Sequence, residues 1–187
     1  MSNLTPRSLT LTTSTVQGTA PRLVIGAGNG QSRLSLTPPH GSQLDDIYWI
    51  TVFDRTDLSK PVANEVIPAK NNTTVPAILK QYEGNKQYFF SFLTHQMLSA
   101  HVPQGPLYDY LLKAGGSTEL RRIEQIYTDI GCGSIVYLSY GLVNVSADDD
   151  ETGFEMGDTY GTFYLTLQLQ PIEVNGTPWY TPTNLPR

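Results

Sequence analysis

The sequence predicts an α+β fold: mostly antiparallel β-sheets, sandwich-like or curved, with two to three short helices packed on one side. Three observations predict it. Short runs rich in β-branched and aromatic residues recur along the chain, as in IYWITVF (Ile47 to Phe53) and SIVYLSYGLVNV (Ser134 to Val145). Glycine (16) and proline (13) are frequent while charged residues make up only 16%, a composition of many turns rather than long helices. Helical periodicity is concentrated in one stretch, Pro106 to Ile130, with a shorter candidate near Pro76.

In chain order, residues 1–20 are rich in Ser and Thr and are expected as a flexible N-terminal arm, although LTLTTSTV alternates as an edge strand would. Residues 21–174 are expected to form a single domain. Arg22 to Ile25 and Ser32 to Thr37 read as two short strands across a glycine-rich turn, and Pro38, Pro39 and Gly41 then interrupt the chain. Ile47 to Phe53 is an apolar strand, DRTDLSK a turn and PVANEVI a second strand. NNTTVPAILKQYEG suggests a short helix that ends at Gly84, and Gln87 to Leu93 an aromatic-rich buried strand.

The helical stretch is the clearest. Pro106 suits a first helical position and Gly115 a stop, with Leu107, Tyr110, Leu111 and Ala114 on one face. A second helix opens after Gly116, with Ser117 or Thr118 available as its cap and Glu119 in its first turn. Its Leu120, Ile123, Ile126, Tyr127 and Ile130 form one buried side. SIVYLSYGLVNV is apolar on both faces and belongs near the middle of a sheet. Asp148 to Asp158 reads as an acidic loop. In Thr159 to Val174, Phe163, Leu165, Leu167 and Leu169 alternate with Tyr164, Thr166, Gln168 and Gln170, a half-exposed strand whose outer face is polar and uncharged. Residues 175–187 hold three prolines without periodicity and are expected as an extended tail.

A net charge of −5 without a basic patch argues against nucleic acid as a partner, and no apolar run is long enough to span a bilayer. One cysteine, Cys132, allows no intramolecular disulfide. Without an apolar signal segment, the sequence is expected to be made in a reducing cytoplasm, with export by a leaderless route as the other possibility. The sequons at Asn3, Asn71, Asn72, Asn144 and Asn175 are then coincidental.

Candidates for chemistry each have a plainer reading. VIGAGNG (Val24 to Gly30) has the glycines of a dinucleotide turn but lacks the helix that must follow, so a hairpin turn is favoured. Asp148 to Asp158 offers six carboxylates in eleven residues but not the spacing of a calcium loop. Cys132 lies at a helix end rather than an activating helix start, and His40, His95 and His101 have no metal-pair spacing. Asp54, Arg55 and Asp57 suit a tight turn as well as an acid–base site. No nucleophile, base and orienting partner are brought together in sequence, so no catalytic residue, cofactor or metal is expected. Trp179 and Tyr180, in the unpatterned tail, are candidate partner contacts.

The order PQGxLYxxLxxAGxxxELxxxEQxxxxxGCG, followed by a strand through YGLV, resembles the interleukin-like EMT-inducer domain, also called the pancreatic-derived-factor domain. YWITVFDRTDLSKPVANEV and YFFSFLTH resemble its upstream strands, and the similarity runs from about Ile47 to Val145. The single cysteine departs from the paired cysteines expected of secreted animal members. One relative forms the stem of a protein O-mannose N-acetylglucosaminyltransferase and binds sugar; others are secreted signalling factors. The resemblance therefore implies a non-catalytic, lectin-like recognition module for a glycan or protein partner. Trp49, Asp54, Arg55 and Asn64 are the residues near its turn suited to a sugar. The alternative is a structural subunit that forms a homo-oligomer or larger particle through its terminal arms.

Overall fold

A computed structural model describes residues 5–16, 18–26, 33–130, 137–146 and 153–184. The chain is mostly antiparallel β-sheet with three short α-helices among the described residues. One sheet is contiguous in sequence. It contains β4 (Ile47–Asp54), β5 (Ala63–Pro68), β6 (Tyr88–His95), β7 (Met97–Leu98), β8 (Tyr137–Val145) and β9 (Phe154–Asp158), in the order β5-β4-β6-β8-β7, with β9 also paired to β8. The helices α1 (Ala77–Tyr82), α2 (Gly105–Lys113) and α3 (Thr118–Ile130) belong to the same stretch.

The second sheet draws on both flanks of that stretch. Its order is β11-β10-β1-β2-β3, from β1 (Arg7–Ser14), β2 (Arg22–Ile25), β3 (Leu34–Leu36), β10 (Thr162–Val174) and β11 (Thr177–Thr183). Residues 7–14, expected within a flexible arm, are thus the central strand, paired with β10 from Arg7↔Leu169 to Ser14↔Thr162 and with β2 on the other side. The expected tail is likewise a strand: Thr177 to Thr183 pairs with β10 across the Asn175-Gly176 turn, where both residues take positive φ. Alternation in LTLTTS and the Asn-Gly pair are the physical reasons, since each lets a short segment bury one face against its neighbour.

Side-chain alternation in β4, β6 and β8 sends residues into two separate cores. Tyr48, Ile50, Val52, Phe90, Phe92, Leu138, Tyr140 and Leu142 meet Leu79 of α1, Leu107 and Leu111 of α2, and Leu120 and Ile123 of α3. Ile47, Trp49, Phe53, Phe89, Leu93, Val143 and Val145 meet Leu9, Leu11, Leu23, Ile25, Leu167, Leu169 and Tyr180 of the other sheet. The contiguous sheet is therefore covered on both faces, which is why its strands read as continuous apolar runs.

The expected helix faces of α2 and α3 meet the core, with Leu107, Leu111, Leu120 and Ile123 buried and Tyr110, Ala114, Ile126 and Tyr127 partly buried against them. The acidic run is shorter than expected as a loop: residues 154–158 form β9, seated beside α3, while 147–152 lie outside the described residues, as do the glycine-rich turn 27–32 and Cys132. Two glycines permit this seating. A Cβ on Gly115, whose φ is +92°, would stand 2.2 Å from the Gly153 nitrogen, and one on Gly153 would stand 2.8 Å from the Gly115 carbonyl oxygen.

Candidate functional site

The four sugar candidates fall into two separate pairs, Trp49 with Asn64 along β4 and β5 and Asp54 with Arg55 in the turn after β4, and do not form an open face. Trp49 is 1% exposed in the core between the sheets, and its indole Nε1 donates to Asn64 Oδ1 at 2.6 Å. Asp54 closes the turn that follows: its Oδ1 accepts from the Thr56 amide at 2.8 Å and hydroxyl at 2.7 Å, and its Oδ2 from Gln87 Nε2 at 2.6 Å. Arg55 is 8% exposed. Its Nε donates to the Tyr180 carbonyl at 3.0 Å and its Nη1 to the Lys86 carbonyl at 2.8 Å, while Nη2 donates to Thr181 Oγ1. The Tyr180 amide returns a bond to the Arg55 carbonyl at 2.8 Å. Arg55 thus runs along β11 and ties one sheet to the other.

The partner candidates lie in the same joint. Tyr180 is 8% exposed, with the Arg7 guanidinium 5.2 Å from its ring centre. Trp179 is half-buried, with the Arg55 guanidinium 5.4 Å from its ring centre.

What the molecule presents openly is the other side of the five-stranded sheet. Residues paired across antiparallel strands share a face. The register therefore aligns Thr12 with Tyr164, Thr10 with Thr166, Ser8 with Gln168 and Thr183, and Gln170 with Thr181. The Thr10 and Thr166 hydroxyls are 3.4 Å apart. Tyr164 is 67% exposed. Among the described strand residues of this face only Arg22 is charged, and it donates to Ser35 Oγ at 2.9 Å. Arg7 and Glu173 fall on the opposite alternation, paired with Leu169 and Pro178. The uncharged side of Thr159 to Val174 was legible in sequence; its continuation over the first and last strands was not, because those segments were not assigned to a sheet.

An open cleft of about 680 Å³ adjoins this sheet, lined by Phe154, Glu155, Leu165, Thr181, Thr183 and Asn184, among others. The Glu155 carboxylate is already occupied. Its Oε1 accepts from Ser117 Oγ (2.8 Å) and the Glu119 amide (2.9 Å), and its Oε2 from the Ser117 (3.0 Å) and Leu120 (3.2 Å) amides and the Tyr140 hydroxyl (3.2 Å). Burial opposes ionisation of this carboxyl, but the donors from Ser117, Glu119 and Leu120 outweigh it and hold Glu155 below its ordinary value. Tyr140, pushed well above the ordinary phenol value by burial and then by the Glu155 charge, stays protonated and donates.

Two histidines occupy joints. His95 is buried and accepts the Ser14 amide at Nδ1 (3.3 Å), which links β6 to β1. His101 Nδ1 lies 2.6 Å from Asp46 Oδ2, and Asp46 also accepts the Leu98 amide at Oδ1 (3.0 Å) and the Ala69 amide at its carbonyl (2.8 Å). Asp46 was not singled out in sequence; its positive φ of 56° just before β4 gives it this bridging position. Among the described residues, no three His, Cys, Asp or Glu side chains are placed to hold a metal, and no helix is long and apolar enough to cross a membrane.

No protein-family model, no curated protein and no solved structure matches the chain.

Proposed function

We propose that the chain is a non-catalytic recognition module on a sandwich-like pair of sheets, and that it takes carbohydrate. The observation that carries this reading is the outer face of the five-stranded sheet, where hydroxyls and amides stand beside an exposed tyrosine with no carboxylate among the described strand residues. Sugars offer hydroxyls at the ring edge and C–H groups on the ring face, and such a surface complements both. The resemblance to a domain family with a sugar-binding member supports the same class of ligand. A glycan array probed with the full chain tests it: saturable binding to defined glycans is expected, and a blank array would overturn it.

The second reading, an assembly subunit, is favoured by the ribbon of β10 and β11. Pairing with β1 stops at Leu169, and beyond it Ile172 and Val174 are exposed on the ribbon. Light scattering on the full chain and on Ile172→Lys separates the readings. A discrete oligomer that the substitution dissolves would make assembly the leading function; a monomer in both cases would remove it.

A further inference from the structure

Resting on the carbohydrate reading, we propose that the ligand is an uncharged, extended polysaccharide laid across the strands of the outer face of the β11-β10-β1-β2-β3 sheet. The cross-strand rows supply the direction. Ser8, Gln168 and Thr183 form one row over three strands, with Thr10 and Thr166 forming the next. Adjacent strands are about 4.8 Å apart, close to the length of one pyranose unit in an extended chain, whereas same-face neighbours along a strand are about 6.8 Å apart. Along the first row, a chain that crosses β11, β10 and β1 meets one polar side chain per sugar, and the second row continues from Thr10 onto the apolar Val24 of β2; a chain that runs along the strands loses register.

The charge distribution supplies the class. An anionic glycan needs clustered cations to replace its counterions, and the one arginine among the described strand residues of this face is engaged with Ser35. The Arg7 and Arg55 guanidinium groups lie against Tyr180 and Trp179. Tyr164 offers the exposed ring on which a sugar face can stack, while Trp179 has Arg55 over its ring.

The test uses the full chain with microcrystalline cellulose, chitin and soluble mannan as neutral probes and heparin as the anionic one. Retention on a neutral chain that persists at high salt is expected, with no retention by heparin. Tyr164→Ala and Thr166→Glu, both at exposed positions, are each expected to weaken retention about tenfold. Asn184→Lys in the neighbouring cleft should leave it unchanged. If a neutral chain is retained and only Asn184→Lys abolishes it, the face assignment is overturned and the carbohydrate reading stands. Heparin as the preferred probe would overturn the neutral class alone. If the chain self-associates and Thr166→Glu makes it monomeric, the face is an interface between copies and the proposal falls. If no neutral chain and no array glycan is retained, both readings fall together.

Discussion

His95 shows how one buried side chain sets a pH limit on the fold. Because the Ser14 amide donates to Nδ1, the ring proton sits on Nε2, and a second proton would place two N–H groups against each other. Burial pushes the imidazole down to about 4, against a smaller upward pull from Asp45. The unfolded chain, with an ordinary value near 6.5, binds the extra proton first. Stability is therefore complete above about pH 6.5, falls as pH drops toward 4, and levels off below for this group, with a loss of about 3 kcal/mol. Denaturant midpoints at pH 7, 5.5 and 4 should show a smaller acid loss for His95→Gln than for the parent; parallel losses would rule the histidine out. Such single-residue roles were the least legible in sequence. Trp49 read as a possible sugar platform because alternation cannot say which side of a strand is covered when both are, and Arg55 read as a ligand because a turn arginine gives no sign in sequence that it is spent on the carbonyls of Lys86 and Tyr180. Asn64 and Asp54 read as ligands because amides and carboxylates that satisfy a neighbouring indole or turn have the same composition as those that bind.

At the scale of elements, α2 and α3 were legible because their signals are local: Pro106, Gly115 and apolar residues at three and four positions. The partner of α3's first turn was not. Sequence offered Ser117 or Thr118 as cap, whereas Glu155, some 36 residues away in the chain, takes the Glu119 and Leu120 amides and Ser117 itself becomes a donor. Strand β9 was concealed within a run of acidic residues whose charge dominated the reading. A second clasp reinforces it, since Arg122 bonds Glu119 at 2.9 Å and donates to the Gly157 carbonyl. Glu155→Ala should lower stability by about 2 kcal/mol, as loss of a cap combined with an unpaired Tyr140 hydroxyl. It should also speed amide exchange in the first turn of α3 more than in α2. Equal protection in both helices would mean that Glu155 does not hold that end.

For the whole molecule, the division into arm, domain and tail dissolves, because β1 and β11 are strands of one sheet and β1 is its centre. Removal of residues 1–20 should therefore not release a soluble core. Leu9 and Leu11 would no longer cover the core between the sheets, and β10 would lose its partner from Thr162 to Leu169. Near-UV circular dichroism of that truncation is expected to show lost side-chain order; an intact spectrum with parental stability would show β1 to be dispensable. The same pairing governs how the fold is reached. The sheet of residues 47–158 can close from neighbouring segments, but β1 must wait for a strand about 150 residues later, as the Thr10–Thr166 contact illustrates. During synthesis, the face of Ile47, Trp49, Phe53, Phe89 and Val143 lacks the cover of Leu167 and Leu169 until β10 has left the ribosome. The interval between those two events is when a nascent chain is most exposed to aggregation, and slower elongation after residue 158 would lengthen it.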